Sequence, residues 1–279
     1  MSITLHNGDC LEVMKSLPDK SVDLIICDLP YGCLTNQTGE SKGFYRKSHE
    51  GTNMIQKLGK QNGTGCAWDI KLDLKKFWEQ VKRIRKNEHS PCIHFCTTKF
   101  GFDLYNSNPD EFRYDLVWDK QRGVSFLTAN KMPMRSHEMV YVFSKAGAYY
   151  NRIDIDEPGK KAQNSSKSNE TLPKTTSLAF TPSSGQIVNK MEENKRCVVS
   201  VIKLETAGRS KRGGHPTEKP VELYKWLIQR YCPAGGTILD PTAGSFNSCI
   251  AGQELGINCI GIEMNKEFYD EAVEKLGAE

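Results

Sequence analysis

One short segment near the N-terminus combines residue types that could bind an amino group carried on a flat ring: Asp28, Leu29, Pro30 and Tyr31. The segment follows an apolar run over residues 22–27, which predicts a strand that ends in a turn. A carboxylate and a backbone carbonyl can each accept one N–H of an aromatic amine, and a tyrosine ring can stack on the ring plane. Pro30 favours an extended conformation at Leu29 and so fixes the direction of the Leu29 carbonyl. The simpler interpretation is an ordinary turn after a strand.

A second segment, far downstream, has the layout of a nucleoside-binding site. A short apolar strand over residues 237–239 leads into a turn of small residues and then into a predicted helix over 246–255. Such a helix start presents backbone N–H groups and the positive end of a helix dipole. The next predicted strand, 258–262, ends at an acid that could accept hydrogen bonds from a ribose. The polar or small residues of this segment are Asp240, Thr242, Gly244, Ser245 and Glu263. The simpler interpretation is a plain β-α-β unit with a capping turn.

Two further segments carry polar residues at predicted element boundaries. One lies immediately before an amphipathic helix predicted over 221–232 and contains His215, Thr217 and Lys219. Its prolines also fit an ordinary helix start. The other is an acid-bearing turn upstream of the first segment and contains Asp9 and Cys10.

These segments, in this order, resemble those of the N6-adenine and N4-cytosine DNA methyltransferases of the permuted type, in which the catalytic tetrad precedes the cofactor loop. The resemblance covers residues 1–33, about 66–150 and 213–279, and includes the segments around Lys120 and Glu138. It implies the α/β fold of the class I methyltransferases, a doubly wound, mostly parallel seven-stranded sheet with an antiparallel edge hairpin.

The resemblance also implies roles for the residues. The catalytic set that would hold the target base is Asp28, Leu29, Pro30 and Tyr31. The cofactor would be S-adenosylmethionine, and the residues expected to bind it are Asp9, Cys10, His215, Thr217, Lys219, Asp240, Thr242, Gly244, Ser245 and Glu263. Because a sulfonium is itself the electrophile, this reaction needs no metal, and none is predicted.

The tetrad also bears on which base is modified. An aspartate at its first position is typical of the adenine enzymes, so the predicted reaction is transfer of a methyl group to N6 of adenine in DNA. Methylation of cytosine at N4 is the nearest alternative, and a DNA-binding protein without catalytic activity is another. A nicotinamide-dependent oxidoreductase is disfavoured because the chain lacks the G-x-G-x-x-G motif.

Two positions depart from the family pattern. Leu29 stands where a second proline is usual, which keeps the backbone carbonyl but removes one source of stiffness. Phe246 stands where the cofactor loop usually has a second glycine. We expect the phenylalanine side chain to turn away from the loop, or the cofactor to bind in a shifted position and more weakly.

Positive charge is concentrated in two polar stretches. Residues 34–65 contain five basic and two acidic residues, and residues 151–212 contain twelve basic and seven acidic residues. Because Lys and Arg supply most contacts to DNA phosphates, we predict a mobile DNA-contacting loop at 34–65 and a target recognition region at 151–212. Both would be insertions in one domain that spans 1–279. The candidate DNA-binding residues are Arg46, Lys47, Arg209, Lys211 and Arg212.

Hydrophobic patterning predicts the elements that must position these residues. Strands are predicted at 22–27, 92–97, 113–118, 137–143, 148–155, 237–239 and 258–262, and helices at about 70–86, 221–232, 246–255 and 266–276. Residues 144–147 join two of the predicted strands and indicate a hairpin turn, which would supply the antiparallel edge of the sheet.

Composition indicates a cytoplasmic protein without a membrane partner. No apolar run reaches the length of a membrane span, and residues 1–20 lack the apolar core of a signal peptide. The ten cysteines are scattered, as in reduced proteins. Cys92, His94 and Cys96 alternate along one predicted strand, but no second ligand pair supports a metal site. The predicted partner is double-stranded DNA, and a homodimer and a separately encoded restriction endonuclease stay open.

Overall fold

The computed structural model describes residues 1–30, 72–124, 126, 129–156, 195–206 and 218–277. The chain divides into two compact units. One unit is Met1–Asn151 together with Ser200–Glu279, and the other is Arg152–Val199.

The described residues form ten strands and six α-helices. The strands are β1 (Ile3–Asn7), β2 (Leu24–Cys27), β3 (Cys92–Cys96), β4 (Phe112–Val124), β5 (Arg135–Phe143), β6 (Ile155–Asp156), β7 (Lys195–Arg196), β8 (Val201–Lys203), β9 (Thr237–Asp240) and β10 (Asn258–Glu263). The helices are α1 (Cys10–Ser16), α2 (Leu74–Ile84), α3 (Thr98–Ser107), α4 (Val221–Tyr231), α5 (Asn247–Glu254) and α6 (Lys266–Leu276), with a short 3-10 helix at Pro109–Glu111. Within the described ranges, no helix is long and apolar enough to cross a membrane.

One sheet organises the first unit. Its eight strands lie in the order β1-β10-β9-β2-β3-β5-β4-β8. Neighbouring strands are parallel, except that β5 is antiparallel to both β3 and β4. This arrangement confirms the predicted α/β class with a mostly parallel sheet and an antiparallel hairpin. The sheet has eight strands and not the predicted seven, and two of them, β1 and β8, were not predicted. Strand β8 pairs with the outer side of β4 although its residues fall in the stretch 151–212.

The antiparallel hairpin is formed by β4 and β5, and the hairpin turn predicted at residues 144–147 is wrong. The described residues from 148 to 154 form no strand. Instead, the N–H of Tyr149 donates to the carbonyl of His89 at 2.8 Å, which ties this segment to the loop after α2. Residues 148–154 have a strand-like sequence, but the N–H of Tyr149 bonds to the loop after α2 and not to a neighbouring strand.

Apolar side chains bury both faces of the central strands. On one face, Leu24 and Ile26 of β2 pack in a cluster with residues of α4, α5 and α6. On the other face, Ile25 and Cys27 of the same strand pack with residues of α1, α2 and α3. Strands covered on both sides are expected to be apolar throughout, as β2 and β3 are. The sheet is therefore doubly wound.

The direction of winding changes between two central neighbours of the sheet. From β9 the chain passes through α5 to β10, and α5 lies on the first face. Helix α2 precedes β3 and lies on the opposite face. Because β9 and β2 are adjacent and parallel, their carboxyl ends border the crevice that open α/β sheets form at such a point.

The second unit is small in its described part. Strands β6 and β7 pair antiparallel, with Ile155 opposite Arg196. The Nε atom of Arg152 lies 2.6 Å from Oδ1 of Asp154, and this hydrogen bond lowers the pKa of Asp154. The unit falls within the stretch 151–212.

Candidate active site

The carboxyl ends of four parallel strands bring the predicted site residues to one edge of the sheet. Asp28 follows β2 directly, and Asp240 and Glu263 end β9 and β10. Asn7, which ends β1, pairs with Glu263, and Asp9 lies two residues further on. Segments separated by more than two hundred positions in the sequence therefore meet at the crevice beside β9 and β2.

Asp28 is held by a buried lysine. The Nζ atom of Lys219 lies 2.5 Å from Oδ2 of Asp28 and 3.4 Å from Oε2 of Glu138 on β5. The side chain of Lys219 is 6% exposed, whereas that of Asp28 is 20% exposed. The carboxylate of Asp28 thus stays accessible from the crevice while its cation is almost fully enclosed.

Leu29 anchors the turn through its side chain. The side chain is 2% exposed and packs in the apolar cluster on the face of α1, α2 and α3. Burial of a leucine side chain stabilises the fold by roughly 1.5–3 kcal/mol. It also fixes the position of the Leu29 backbone carbonyl. Packing therefore supplies stiffness at the position where the family pattern has proline.

Asp240 shapes the loop between β9 and α5 from inside. Its carboxyl group is 1% exposed. The hydroxyl of Ser248 donates to Oδ2 at 2.6 Å, and the backbone N–H of Thr242 donates to Oδ1 at 3.1 Å. Burial raises the pKa of Asp240 to about 7 despite these two donors. Asp240 therefore holds the loop to the start of α5.

Glu263 joins three backbone segments at the same edge. Its Oε2 accepts from the N–H of Gly244 at 2.8 Å, and its Oε1 accepts from the N–H of Asn265 at 2.7 Å. Its own carbonyl accepts from the N–H of Gly8 at 3.0 Å. Burial raises the pKa of Glu263, and the backbone donors act in the opposite direction. The carboxylate fixes the position of the loop around Gly244.

The side chain of Phe246 turns into the core, away from the loop. The residue has φ of 57° and ψ of 26° and is completely buried. A Cβ atom at Gly261 on β10 would lie 2.7 Å from Cδ1 of the phenylalanine ring, so the ring needs a glycine at that position. The bulky substitution in the loop is accommodated by a small residue on the neighbouring strand.

Asp9 and Cys10 begin helix α1. Oδ1 of Asp9 accepts from the N–H groups of Leu11 and Glu12 at 2.8 and 3.1 Å, which is the geometry of a helix N-cap. Asp9 is exposed at the edge of the crevice. The thiol of Cys10 is buried, and burial raises its pKa to about 12.

Part of the predicted site lies outside the described residues. Ser245 is described and half-buried in the loop. The residues that fall outside are Tyr31, His215, Thr217, Arg46, Lys47, Arg209, Lys211 and Arg212.

Sequence reasoning did not identify the partners of the predicted residues. Glu138 contacts Lys219, and Lys120 on β4 pairs with the other oxygen of Glu138. Asn247 donates from Nδ2 to Oε1 of Glu218 at 2.6 Å and to the carbonyl of Lys219 at 2.8 Å. The family resemblance around Lys120 and Glu138 indicated that these two segments belong to the part of the fold that the family shares. It did not indicate which charged side chains form ion pairs.

A cluster of two cysteines and one histidine lies on the face of β2 and β3 that packs against α1, α2 and α3. The side chains are those of Cys27, Cys92 and His94, and their ligand atoms lie within 4.8 Å of one another. Sγ of Cys92 is 3.3 Å from Nε2 of His94. The structure thus groups Cys27 with two of the three residues that alternate in the sequence.

Comparison with known proteins gives consistent matches over most of the chain. A sequence profile of the family described as DNA methylase matches residues 22–274. The Type II methyltransferase M.HindIII of Haemophilus influenzae is 25% identical over 307 aligned residues, which cover 99% of this chain and 95% of that protein.

Solved structures share the fold. The M1.HpyAVI–SAM complex superposes with a TM-score of 0.57 at 16% identity, over 98% of each chain. The PvuII DNA methyltransferase, described as cytosine-N4-specific, superposes with a TM-score of 0.60 at 13% identity, over 98% of this chain and 86% of its own. At these identities the likeness concerns the fold alone.

Proposed function

Since the chain belongs to the DNA methylase family of N6-adenine and N4-cytosine methyltransferases, we propose that it transfers a methyl group from S-adenosylmethionine to N6 of adenine at a specific DNA sequence. The observation that carries this proposal is the carboxylate of Asp28. It lies at the carboxyl end of β2 beside the β9 loop, is paired with Lys219, and keeps 20% exposure.

The target amine needs acceptors because its lone pair is delocalised into the ring. Asp28 accepts one N–H, and the backbone carbonyl of Leu29 accepts the other, which draws the nitrogen toward a tetrahedral geometry. The buried leucine side chain and Pro30 hold that carbonyl in one direction. As the N–C bond to the methyl group forms, the nitrogen releases one of its protons to solvent.

The loop between β9 and α5 fits a nucleoside cofactor. Oγ1 of Thr242 is buried and has no hydrogen-bond partner among the described residues, as expected for a group whose partner is a ligand. The described residues that would hold S-adenosylmethionine are Asp9, Thr242, Gly244, Ser245 and Glu263. When bound, its sulfonium supplies the methyl group as an electrophile and leaves as a neutral thioether.

Adenine is favoured over cytosine by the residue type at position 28. A carboxylate there is the form typical of adenine enzymes, and Lys219 is paired with it. Methylation of cytosine at N4 is the second candidate, because a likeness in fold also extends to a structure named as cytosine-N4-specific. The intact ion pair at Asp28 argues against a DNA-binding protein that has lost catalysis.

We further propose that the DNA is contacted by two basic insertions in a single methyltransferase domain over 1–279. The loop 34–65 would contribute Arg46 and Lys47, and the recognition region 151–212 would contribute Arg209, Lys211 and Arg212.

One labelling experiment tests the reaction and the base. The protein is incubated with unmethylated DNA of high sequence complexity and methyl-labelled S-adenosylmethionine, and the DNA is digested to nucleosides. Labelled N6-methyladenine is the expected product. Label on cytosine would replace adenine with the second candidate, and DNA binding without transfer by the wild-type protein would favour the inactive alternative.

The role of Asp28 is tested with Asp28→Asn, which preserves shape and removes the charge. Transfer is expected to fall by about 100-fold or more, in the range found when a group that stabilises a transition state is removed. Binding of S-adenosylmethionine, measured by calorimetry, is expected to persist. Asp110→Asn, at an exposed position in the 3-10 helix, is the matched control and is expected to stay fully active.

A further inference from the structure

A row of alternating charges crosses the sheet from the end of β2 to β4. It runs from Asp28 to Lys219, then to Glu138, and ends at Lys120. The Lys219 to Asp28 contact is 2.5 Å and the Lys219 to Glu138 contact is 3.4 Å. The row contains two anions and two cations, and Lys219 links Asp28 of the tetrad to Glu138 and Lys120.

The ammonium group of Lys219 is fixed from several sides. It lies 5.3 Å from the centre of the Phe95 ring, within the range of a cation–π contact. The backbone carbonyl of the same residue accepts from Nδ2 of Asn247 at 2.8 Å, which ties the segment to the start of α5. Pro220 then begins helix α4. The lysine therefore has little freedom to leave Asp28.

The electrostatics keep Lys219 and Glu138 ionised. Burial alone would lower the pKa of Lys219, but the charges of Asp28 and Glu138 outweigh it, and the pKa is raised. Burial would raise the pKa of Glu138, but Lys219 and Lys120 outweigh it, and that pKa is lowered. A lysine that stays protonated near neutral pH cannot serve as a general base, so its contribution must be its charge and position.

We propose that Lys219 is a positioning residue for catalysis, which holds the carboxylate of Asp28 in one orientation while Glu138, itself paired with Lys120, holds Lys219. This inference rests on the proposed methyl transfer. It gives Lys219 a role toward the target base, in place of the contact with the cofactor that the sequence resemblance implies. Oδ2 of Asp28 is the oxygen that the lysine contacts.

Two substitutions at opposite ends of the lysine test the proposal. Lys219→Met removes the cation and keeps an unbranched side chain of similar length. Glu138→Gln removes the anion that competes with Asp28 for the lysine and keeps the shape. Lys225→Met is the matched control. Lys225 lies in α4 and is paired with Glu222 and Glu254 near the surface.

The first readout separates catalysis from cofactor binding. In Lys219→Met, kcat is expected to fall by about 100-fold, the typical cost of misplacing a reacting group by roughly an ångström. The dissociation constant for S-adenosylmethionine is expected to change by less than about threefold, since the interaction lost is one with the transition state. A large rise in that constant with kcat unchanged would overturn the proposal and return Lys219 to the cofactor site.

The second readout is the acidic limb of the pH profile of kcat. Loss of the cation disfavours the charged carboxylate, so Lys219→Met is expected to move the limb to higher pH by about one unit or more. Loss of the competing anion in Glu138→Gln is expected to move it to lower pH. A purely structural role would change the rate in both variants without shifting the limb in opposite directions.

Other ionisable groups near Asp28 are unchanged in both variants. They are Lys120 on β4, Cys96 on β3, Tyr224 on α4 and Asp240 on β9. A difference between the variants therefore reports on Lys219 and Glu138.

A carboxyl-carbon NMR titration keeps the test independent of turnover. The resonance of Asp28, assigned with Asp28→Asn, is expected to change at higher pH in Lys219→Met and at lower pH in Glu138→Gln than in wild type. Identical titration curves in all three proteins would overturn the inference. If wild type transferred no methyl group while these curves shifted as expected, the proposed function would fail and the pairing of Lys219 with Asp28 would stand.

Discussion

Replacing Asp240 by asparagine is expected to remove a pH dependence of stability that the wild-type protein carries. The buried carboxyl group of Asp240 is held by Ser248 and Thr242. Asparagine keeps an oxygen for the N–H of Thr242 and offers an N–H to the hydroxyl of Ser248. The substitution therefore changes the charge that the site can carry while it preserves the shape and the contacts.

The magnitude follows from the pKa of Asp240, which burial raises from its ordinary value of 3.8 to about 7. Between these two values the folded chain holds one proton more than the unfolded chain. The free energy of unfolding therefore falls as pH rises through this window, by up to about 1.4 kcal/mol per unit, and becomes level above the higher value. From pH 5 to pH 8 the loss amounts to about 3 kcal/mol.

Urea unfolding of wild type and Asp240→Asn at several pH values between 5 and 8 measures this effect. Other titrating groups are common to both chains, so the difference between the two free energies isolates Asp240. Asp240→Asn is expected to gain about 3 kcal/mol relative to wild type from pH 5 to pH 8. Asp110→Asn, at an exposed carboxylate, is expected to show no such gain. Parallel curves for wild type and Asp240→Asn would refute the reasoning.

Two further predictions concern stability away from the crevice. Arg85 and Glu111 form a bidentate ion pair with both contacts at 2.8 Å and with side chains that are 8% and 10% exposed. Arg85→Met is expected to cost about 3–5 kcal/mol, and Arg85→Met/Glu111→Leu to recover most of it; equal losses in urea unfolding would contradict this. Trp118 donates from Nε1 to the carbonyl of Leu204 at 2.8 Å, so Trp118→Phe is expected to lose about 1–3 kcal/mol in the same assay. A loss of unfolding free energy no larger than the experimental error would contradict a stabilising role for that hydrogen bond.

The part of the fold around the loop between β9 and α5 was predictable because its signals are local. Strand β9, the small-residue turn, helix α5 and strand β10 follow one another within about thirty residues, and each is marked by its own apolar run or turn residues. The acids at the strand ends were predictable for the same reason, since parallel strands bring their carboxyl ends to one edge.

What could not be predicted depends on contacts between distant segments. Strand β8 has only three residues, and it is a strand because it pairs with β4 beside the buried Trp118. The pairing of Lys219 with Asp28 joins positions 191 residues apart. Residues 148–154 have the pattern of a strand but are drawn to other backbone partners. Local propensity contains none of this information.

The two departures from the family pattern share a physical explanation. Leu29 and Phe246 both place large apolar side chains in the core, where they are 2% and 0% exposed. Their backbone groups remain at the edge of the crevice, on the turn after β2 and at the start of α5. Each side chain therefore anchors a loop whose backbone borders the crevice, and core packing supplies a fixed position where the family pattern has proline or glycine. Because the anchoring depends on core packing, we expect a smaller apolar residue at either position to make the two loops less ordered. The chemical groups that face the crevice would stay the same.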